Sequence, residues 1–207
     1  MTTFFGSEKK CGCCGKNVSV TELGSTNACG SPDLDLRPPE MQRSAIMRSI
    51  QYCDYCGYAA WDLEECIPQT DKLKEILSES IDDCDDAQIF ERAAKIAQLN
   101  GDEENVIFLY LCAAWCADDE KNTQQSVLMR KKILEICNWS AIVNPERLLQ
   151  LIDIARRAGE FETAGKLLEQ FSKCELEEPL LKKIAEFQKR LLDANDVSCY
   201  TIKEVEP

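Results

Sequence analysis

The spacing of hydrophobic positions changes character once along this chain, near Thr70. Beyond it, apolar residues recur at helical intervals. Leu73, Ile76, Leu77 and Ile81 share one face of a first helix, and Ala87, Phe90, Ala94 and Ala97 mark a second. Asp85 or Asp86 caps the second helix, and Asn100-Gly101 ends it. Val106–Ala117 is apolar on every side, which predicts a buried central helix. Val127, Leu128, Ile133, Leu134 and Ile136 make a fourth helix. Asn144-Pro145 is an N-cap followed by proline at the first helical position, opening a fifth that closes at Ala158-Gly159. Phe161, Ala164, Leu167, Leu168 and Phe171 form a sixth, and Pro179 opens a seventh with Leu180, Ile184, Phe187 and Leu191. From Val197 the tail is short, extended and then charged.

Before Thr70 the pattern is that of short strands and turns. Val18, Val20 and Leu23 lie in a Thr/Ser-rich stretch that reads as a strand, and Gly24–Gly30 is turn-rich. Asp33-Leu34-Asp35-Leu36-Arg37-Pro38-Pro39 reads as an extended, proline-terminated segment. Ile46–Tyr52 suits a short strand, although Glu40–Arg48 equally suits a helical turn or two. Tyr58-Ala59-Ala60-Trp61 forms an apolar stub packed on this N-terminal region.

The chemistry of the N-terminal region lies in two short motifs, Cys11-Gly12-Cys13-Cys14-Gly15 and Cys53-Asp54-Tyr55-Cys56-Gly57. Each reads C-x-x-C-G. Two thiolates two residues apart on a tight turn reach one metal, and the glycine lets the backbone amides curl toward the sulfurs. Two such knuckles supply the four soft ligands of a closed tetrahedral Zn²⁺ site. The expectation is one structural Zn²⁺ per chain, held by Cys11, Cys14, Cys53 and Cys56. Cys13 and Cys29 lie near the first knuckle, and either could replace a ligand or be oxidised. Cys112, Cys116, Cys84, Cys137 and Cys174 fall on or beside helices and read as small core hydrophobes.

The absence of histidine excludes a histidine base, a Ser-His or Cys-His nucleophile and any His-ligated metal. Asp33 and Asp35 alternate on the extended segment. They could bind a hard metal or serve in hydrolysis, but an ion pair with Arg37, Arg43 or Arg48 is the simpler reading, and no acid/base partner accompanies them. Asp82-Asp83-Cys84-Asp85-Asp86 lacks the glycine and terminal glutamate of a calcium loop and reads as a helix start. Tyr110 and Trp115 follow the helical period and read as core. No catalytic residue is expected.

Charge divides the chain as the periodicity does. Residues 1–60 hold six basic and six acidic groups, so 61–207 hold the other 18 basic and 31 acidic groups and the whole net charge of −13. A neutral ribbon on an acidic body argues against nucleic acid, which requires a basic face. It points instead to a protein partner presenting a basic or basic-apolar segment. The first residues lack a signal-peptide pattern, and the longest apolar run is too short to span a bilayer. Thirteen cysteines without an export signal then suit a reducing cytoplasm.

The expected fold is mainly α. A small-β, four-cysteine zinc ribbon (1–66) precedes a tetratricopeptide-like helical-hairpin domain (67–196) and a tail (197–207). Leu99–Glu103 and Arg157–Phe161 look like turns within such repeats, though 58 residues apart, and a plain helical bundle is the alternative.

The knuckles, the Asp33-Leu34-Asp35-Leu36-Arg37-Pro38 segment and Tyr52-Cys53-Asp54-Tyr55-Cys56-Gly57-Tyr58-Ala59-Ala60 together resemble an uncharacterised bacterial family. That family has a CPxCG start, a D-x-D-L-R-P motif and a C-P-x-C-G-Y-A-A second knuckle, and continues into tetratricopeptide-like helices, as here across Asn105–Trp115 and Ala155–Leu168. This chain departs from it at Gly12, Cys13 and Asp54. The resemblance implies zinc and the two-part architecture and supplies no activity. The function expected is a non-enzymatic zinc-binding adaptor; the alternatives are a nucleic-acid-associated ribbon protein and a thiol/zinc redox sensor using Cys13 or Cys29.

Overall fold

The structure, a computed structural model, describes residues 2–81, 85–175 and 178–205. Asp82, Asp83 and Cys84 of the acidic tract lie outside the described residues. The molecule is mainly helical, with a small N-terminal antiparallel sheet. Strand β1 (Thr3–Lys10) pairs with β2 (Asn17–Ser25), Lys10 opposite Asn17, so the first knuckle is the turn of a hairpin. The second knuckle has the same construction at smaller scale, β3 (Gln51–Tyr52) pairing with β4 (Ala59–Ala60). The sequence reading found β2 and missed β1, because Thr-Phe-Phe-Gly-Ser-Glu-Lys-Lys does not alternate. Its phenylalanines, Phe4 and Phe5, are exposed, so no buried face was there to be read. Both readings of 40–52 are realised in turn, a 3₁₀ segment at Arg43–Arg48 and then β3.

All seven expected helices form: α1 (Asp71–Ser78), α2 (Asp86–Leu99), α3 (Glu103–Asp119), α4 (Thr123–Ile136), α5 (Pro145–Arg157), α6 (Phe161–Phe171) and α7 (Pro179–Asp193). Their ends follow from local chemistry. The side chains of Thr70, Asp85, Asp102, Asn122 and Asn144 each accept an N–H three residues on, satisfying donors the helix itself cannot pair. Left-handed residues close the other ends: Gly101 and Gly159 at φ 75°, Lys121 at 61° and Asn195 at 51°. After three of them the chain folds back to pair Asn122 N–H with Ala117 O, Glu160 with Ala155 and Asp196 with Leu191. Helix α1 is shorter than its apolar period suggested. It stops at Ser78 because Glu79 is extended, its carbonyl taken by Arg92, so Ile81 lies beyond the helix.

Successive helices pack on one another around α3, which is buried from Val106 to Ala117 except at Phe108. This main core also takes in Leu34, Ile50 and Ala59 from the N-terminal region and Val205 from the tail. A smaller second core seals the knuckles: Cys11, Val18, Val20, Cys53, Tyr58 and Leu63 meet Leu73 of α1 and Ile96 of α2. The apolar stub therefore faces two ways. Tyr58 packs on the ribbon, whereas Trp61 stacks on Phe108 at 5.8 Å and meets Phe90 edge-on.

The Asp33–Pro38 segment is a tight turn and not the extended run its prolines suggested. Asp33 N–H donates to Arg37 O (3.0 Å), Leu36 N–H donates to Asp33 O (2.9 Å), and Leu36 sits at φ 66°. The turn is clamped from outside by the tail: Leu34 N–H donates to Tyr200 O and Ile202 N–H to Pro32 O, both at 2.9 Å. Folding this way drives Asp35 into the helical core.

Candidate metal centre and its surroundings

The two hairpin turns bring four sulfurs together. Those of Cys11, Cys14, Cys53 and Cys56 all lie within 4.8 Å of one another, so the group could hold a metal ion. Cys11 Sγ is 3.7 Å from Cys56 Sγ, and Cys14 Sγ is 3.7 Å from Cys53 Sγ. These are opposite edges of one tetrahedron, each joining the two knuckles. A metal with sulfur bonds of about 2.3 Å requires edges of about 3.8 Å. The donor set and its spacing therefore fit one tetrahedral, thiophilic ion.

The knuckles share their backbone geometry. Gly15 N–H donates to Cys11 O (2.7 Å) and Gly57 N–H to Cys53 O (2.8 Å), with both glycines at φ 76°. Amides also turn inward on the sulfurs, from Lys16 to Cys14, from Cys56 and Tyr55 to Cys53, and from Tyr58 to Cys56. Such donors stabilise thiolates and orient them. Burial would raise the Cys14 thiol, but the Lys16 amide and the neighbouring sulfurs hold it below its ordinary value. Burial pushes the Cys53 thiol up and that of Cys56 well up, so in a metal-free cluster their protons are held tightly. A bound cation replaces those protons.

Two contacts around the knuckles were illegible in the sequence. Arg92 of α2 is buried against the second knuckle, its Nη1 donating to Gly57 O at 3.4 Å. Its charge lies on the side of a four-thiolate site that would carry −2 with a divalent ion. Gly12 N–H donates to Leu63 O (2.7 Å), and a Cβ at Gly12 would lie 2.5 Å from Glu64 O. Gly12 is thus tightly packed, and a proline there would have no N–H to give.

Cys13 is not one of the four clustered sulfurs. Its Sγ accepts from Gln69 Nε2 at 3.1 Å, and the same nitrogen is 3.7 Å from Cys66 Sγ. Cys29 is exposed, bridged through its backbone to Glu40. Cys112, Cys116 and Cys137 are buried and Cys174 is half-buried, in keeping with a packing role.

Asp33 and Asp35, expected to alternate on one extended segment, have separate partners. Asp33 pairs with Arg43 (2.6 Å). Asp35, fully buried, accepts from Trp115 Nε1 (2.8 Å), Arg157 Nη1 (2.9 Å) and Arg130 Nη2 (3.4 Å), and from the Arg37 backbone N–H (3.2 Å). Arg130 and Arg157 also bind Asp118, at 2.7 and 2.6 Å, and Arg37 pairs with Asp119. Burial opposes charge on Asp35, but Arg157 and Arg130 outweigh it and hold the carboxyl below its ordinary range. Asp118 is lowered in the same way, with Arg130 the main cause opposing its burial. Of the arginines expected from sequence, Arg43 pairs with Asp33; those whose side chains pair with Asp35 sit about a hundred residues away, on α4 and α5.

A cavity of about 340 Å³ opens where β4 meets α2 and α3. Trp61, Asp62, Glu65, Cys66, Asn100, Asp102 and Asn105 contribute to its wall, and no lysine or arginine does. Trp61 is held at its wall by its indole N–H, 2.6 Å from Asn105 Oδ1, and Asp62 is met from outside by Lys9 at 3.1 Å. A larger groove of about 690 Å³ between α6 and α7 is more apolar, with Lys182, Lys189, Glu169 and Glu186 among its lining residues. No helix among the described residues is long and apolar enough to cross a membrane. No protein-family model matches the chain, and neither do any curated protein or solved structure.

Proposed function

We propose that this chain is a non-enzymatic adaptor of the cytoplasm, stapled by one structural Zn²⁺ and binding a basic segment of another protein. The four-sulfur tetrahedron carries the metal reading: its two 3.7 Å edges suit zinc–thiolate bonds, and four protein ligands leave no position for water or substrate. The carboxylates that might have served chemistry, Asp33 and Asp35, are each engaged by arginine. Histidine, the commonest general base, is absent from the chain.

The partner reading rests on charge. The net −13 belongs to residues 61–207, where stacked hairpins of tetratricopeptide-like character would present a surface. The junction cavity supports a particular place on it. Asp62, paired from outside with Lys9, and Glu65 and Asp102 line the same cavity as the Trp61 indole, which suits a lysine or arginine side chain entering beside it.

The test is metal analysis of the purified chain, followed by capture from the source cell with this chain and with its Asp62→Asn, Glu65→Gln, Asp102→Asn variant. Asparagine keeps the helix cap at 102. One zinc per chain, and a partner whose on-rate falls with salt and is lost in the variant, are expected. Absence of metal overturns the first half of the reading; a partner indifferent to salt and to the variant overturns the second.

A further inference from the structure

Outside the metal tetrahedron, two thiols stand together at the base of the first knuckle. Cys13 belongs to the knuckle turn and Cys66 to the loop before α1, and the Gln69 amide nitrogen donates toward both sulfurs at 3.1 and 3.7 Å. Knuckle and loop are held in register by Gly12 N–H on Leu63 O, and a Cβ built on Gly12 would be 3.1 Å from that of Cys66. Both thiols are partly open to solvent, whereas Cys112, Cys116 and Cys137 are buried. We propose that Cys13 and Cys66 form a reversible disulfide when the protein meets a hydroperoxide, and that this site is separate from the metal-binding cysteines.

The chemistry balances without a further reagent. The hydroperoxide transfers one oxygen to the first sulfur, giving a sulfenic acid and releasing an alcohol, or water when the oxidant is hydrogen peroxide. The second thiol attacks that sulfur; the S–S bond forms, the S–O bond breaks and water leaves. A thiol reductant restores the pair by exchange. The placement explains why a second cysteine belongs there. A sulfenic acid on Cys13 lies between Cys11 and Cys14 in sequence, and with no nearer thiol one of their thiolates would attack its sulfur, expel water and give up its place on the metal. Cys66, which shares the Gln69 amide with Cys13, intercepts it first. The product fastens the knuckle to the loop that forms one wall of the acidic cavity.

The experiment uses the full chain, with its metal measured first, exposed to hydrogen peroxide at low protein concentration. Alkylation, peptide mapping and a chromophoric chelator for released metal follow. The expected first product is lighter by two hydrogen atoms, links Cys13 to Cys66, keeps its metal and reverts with a thiol reductant. Cys66→Ser should release metal several-fold faster under the same oxidant. Cys13→Ser should keep its metal before oxidation and lose the cross-link. First cross-links among Cys11, Cys14, Cys53 and Cys56, or Cys66→Ser releasing metal at the unaltered rate, would overturn the proposal. So would Cys13 and Cys66 still alkylating after Cys29 and Cys199 have been oxidised. A chain purified without metal that still links Cys13 to Cys66 first would overturn the zinc reading and leave this one standing.

Discussion

The knuckle region and the helical body are held together by different physics. Around the knuckles few large side chains are buried: Tyr58, Leu63 and Leu73 with two valines, an isoleucine, Cys11 and Cys53. So small a core cannot offset the entropy of ordering two hairpins without a staple. The helical body encloses a continuous apolar core around α3 and tolerates a charged network inside it. Its carboxylates and guanidiniums come from four separate stretches, Asp35, Asp118, Arg130 and Arg157. Buried charges of this kind add little net stability, but they penalise any packing that separates them. On the proposed reading one region depends on an added ion, and the other on matched partners already in the chain.

Metal removal should separate the two most sharply. A chelator, or Cys53→Ser, removes stabilisation on the order of 10 kcal/mol from the ribbon. Amide exchange in β1, β2 and β4 should become fast, while far-ultraviolet circular dichroism from α3 to α7 is retained. Loss of the helices along with the metal would show that the two regions are one cooperative unit.

Asp35→Ala is the converse. It leaves Arg157 and Arg130 facing a void with one carboxylate between them, a cost of about 3–5 kcal/mol. Denaturant unfolding should shift to lower midpoint while metal stoichiometry stays unchanged. A midpoint within error of the parent would mean that water or Asp118 fully replaces the lost carboxylate.

Acid should resolve the regions in sequence. Asp35 and Asp118 have folded values below their unfolded ones, so their contribution is complete above the ordinary carboxylate range near about 4 and is lost as pH falls through the lowered values. Cysteine ligands take up protons and release metal at higher pH. Two acid transitions are expected, metal release first and helix loss second. A single coincident step would erase the distinction.

The smallest effect compares the two knuckles with each other. Alanine at Gly15 or Gly57 incurs the left-handed backbone penalty of about 1–2 kcal/mol. At Gly57 the new Cβ also lies 2.5 Å from Arg92 Nη1, whereas at Gly15 its nearest neighbour is the end of Lys10 at 4.0 Å. Gly57→Ala should therefore lower the melting temperature more than Gly15→Ala. Equal losses would mean that Arg92 moves aside freely.

Much of this architecture was readable from local signals. Helix periods, the capping residues Asp85 and Asn144, and the glycine stops at 101 and 159 act within a few residues, so they show in one dimension. The four metal-site cysteines were legible for the same reason: two residues apart on a turn, each pair announces its own geometry, and only their meeting is tertiary. Strand β1 was missed because an exposed strand has no buried face to alternate against.

What only the tertiary structure decided concerns charges and thiols whose partners are remote. Asp35 carries no local sign that it will be buried, and its partners Arg130 and Arg157 look like ordinary helical cations until α4 and α5 pack on the Asp33–Pro38 turn. Arg92 behind Gly57, and Cys66 beside Cys13, are likewise neighbours made by folding. The physical reason is common to all three. Hydrogen bonds and ion pairs act over a few ångströms of space without regard to distance along the chain, so a sequence reveals them only where both partners lie in one turn.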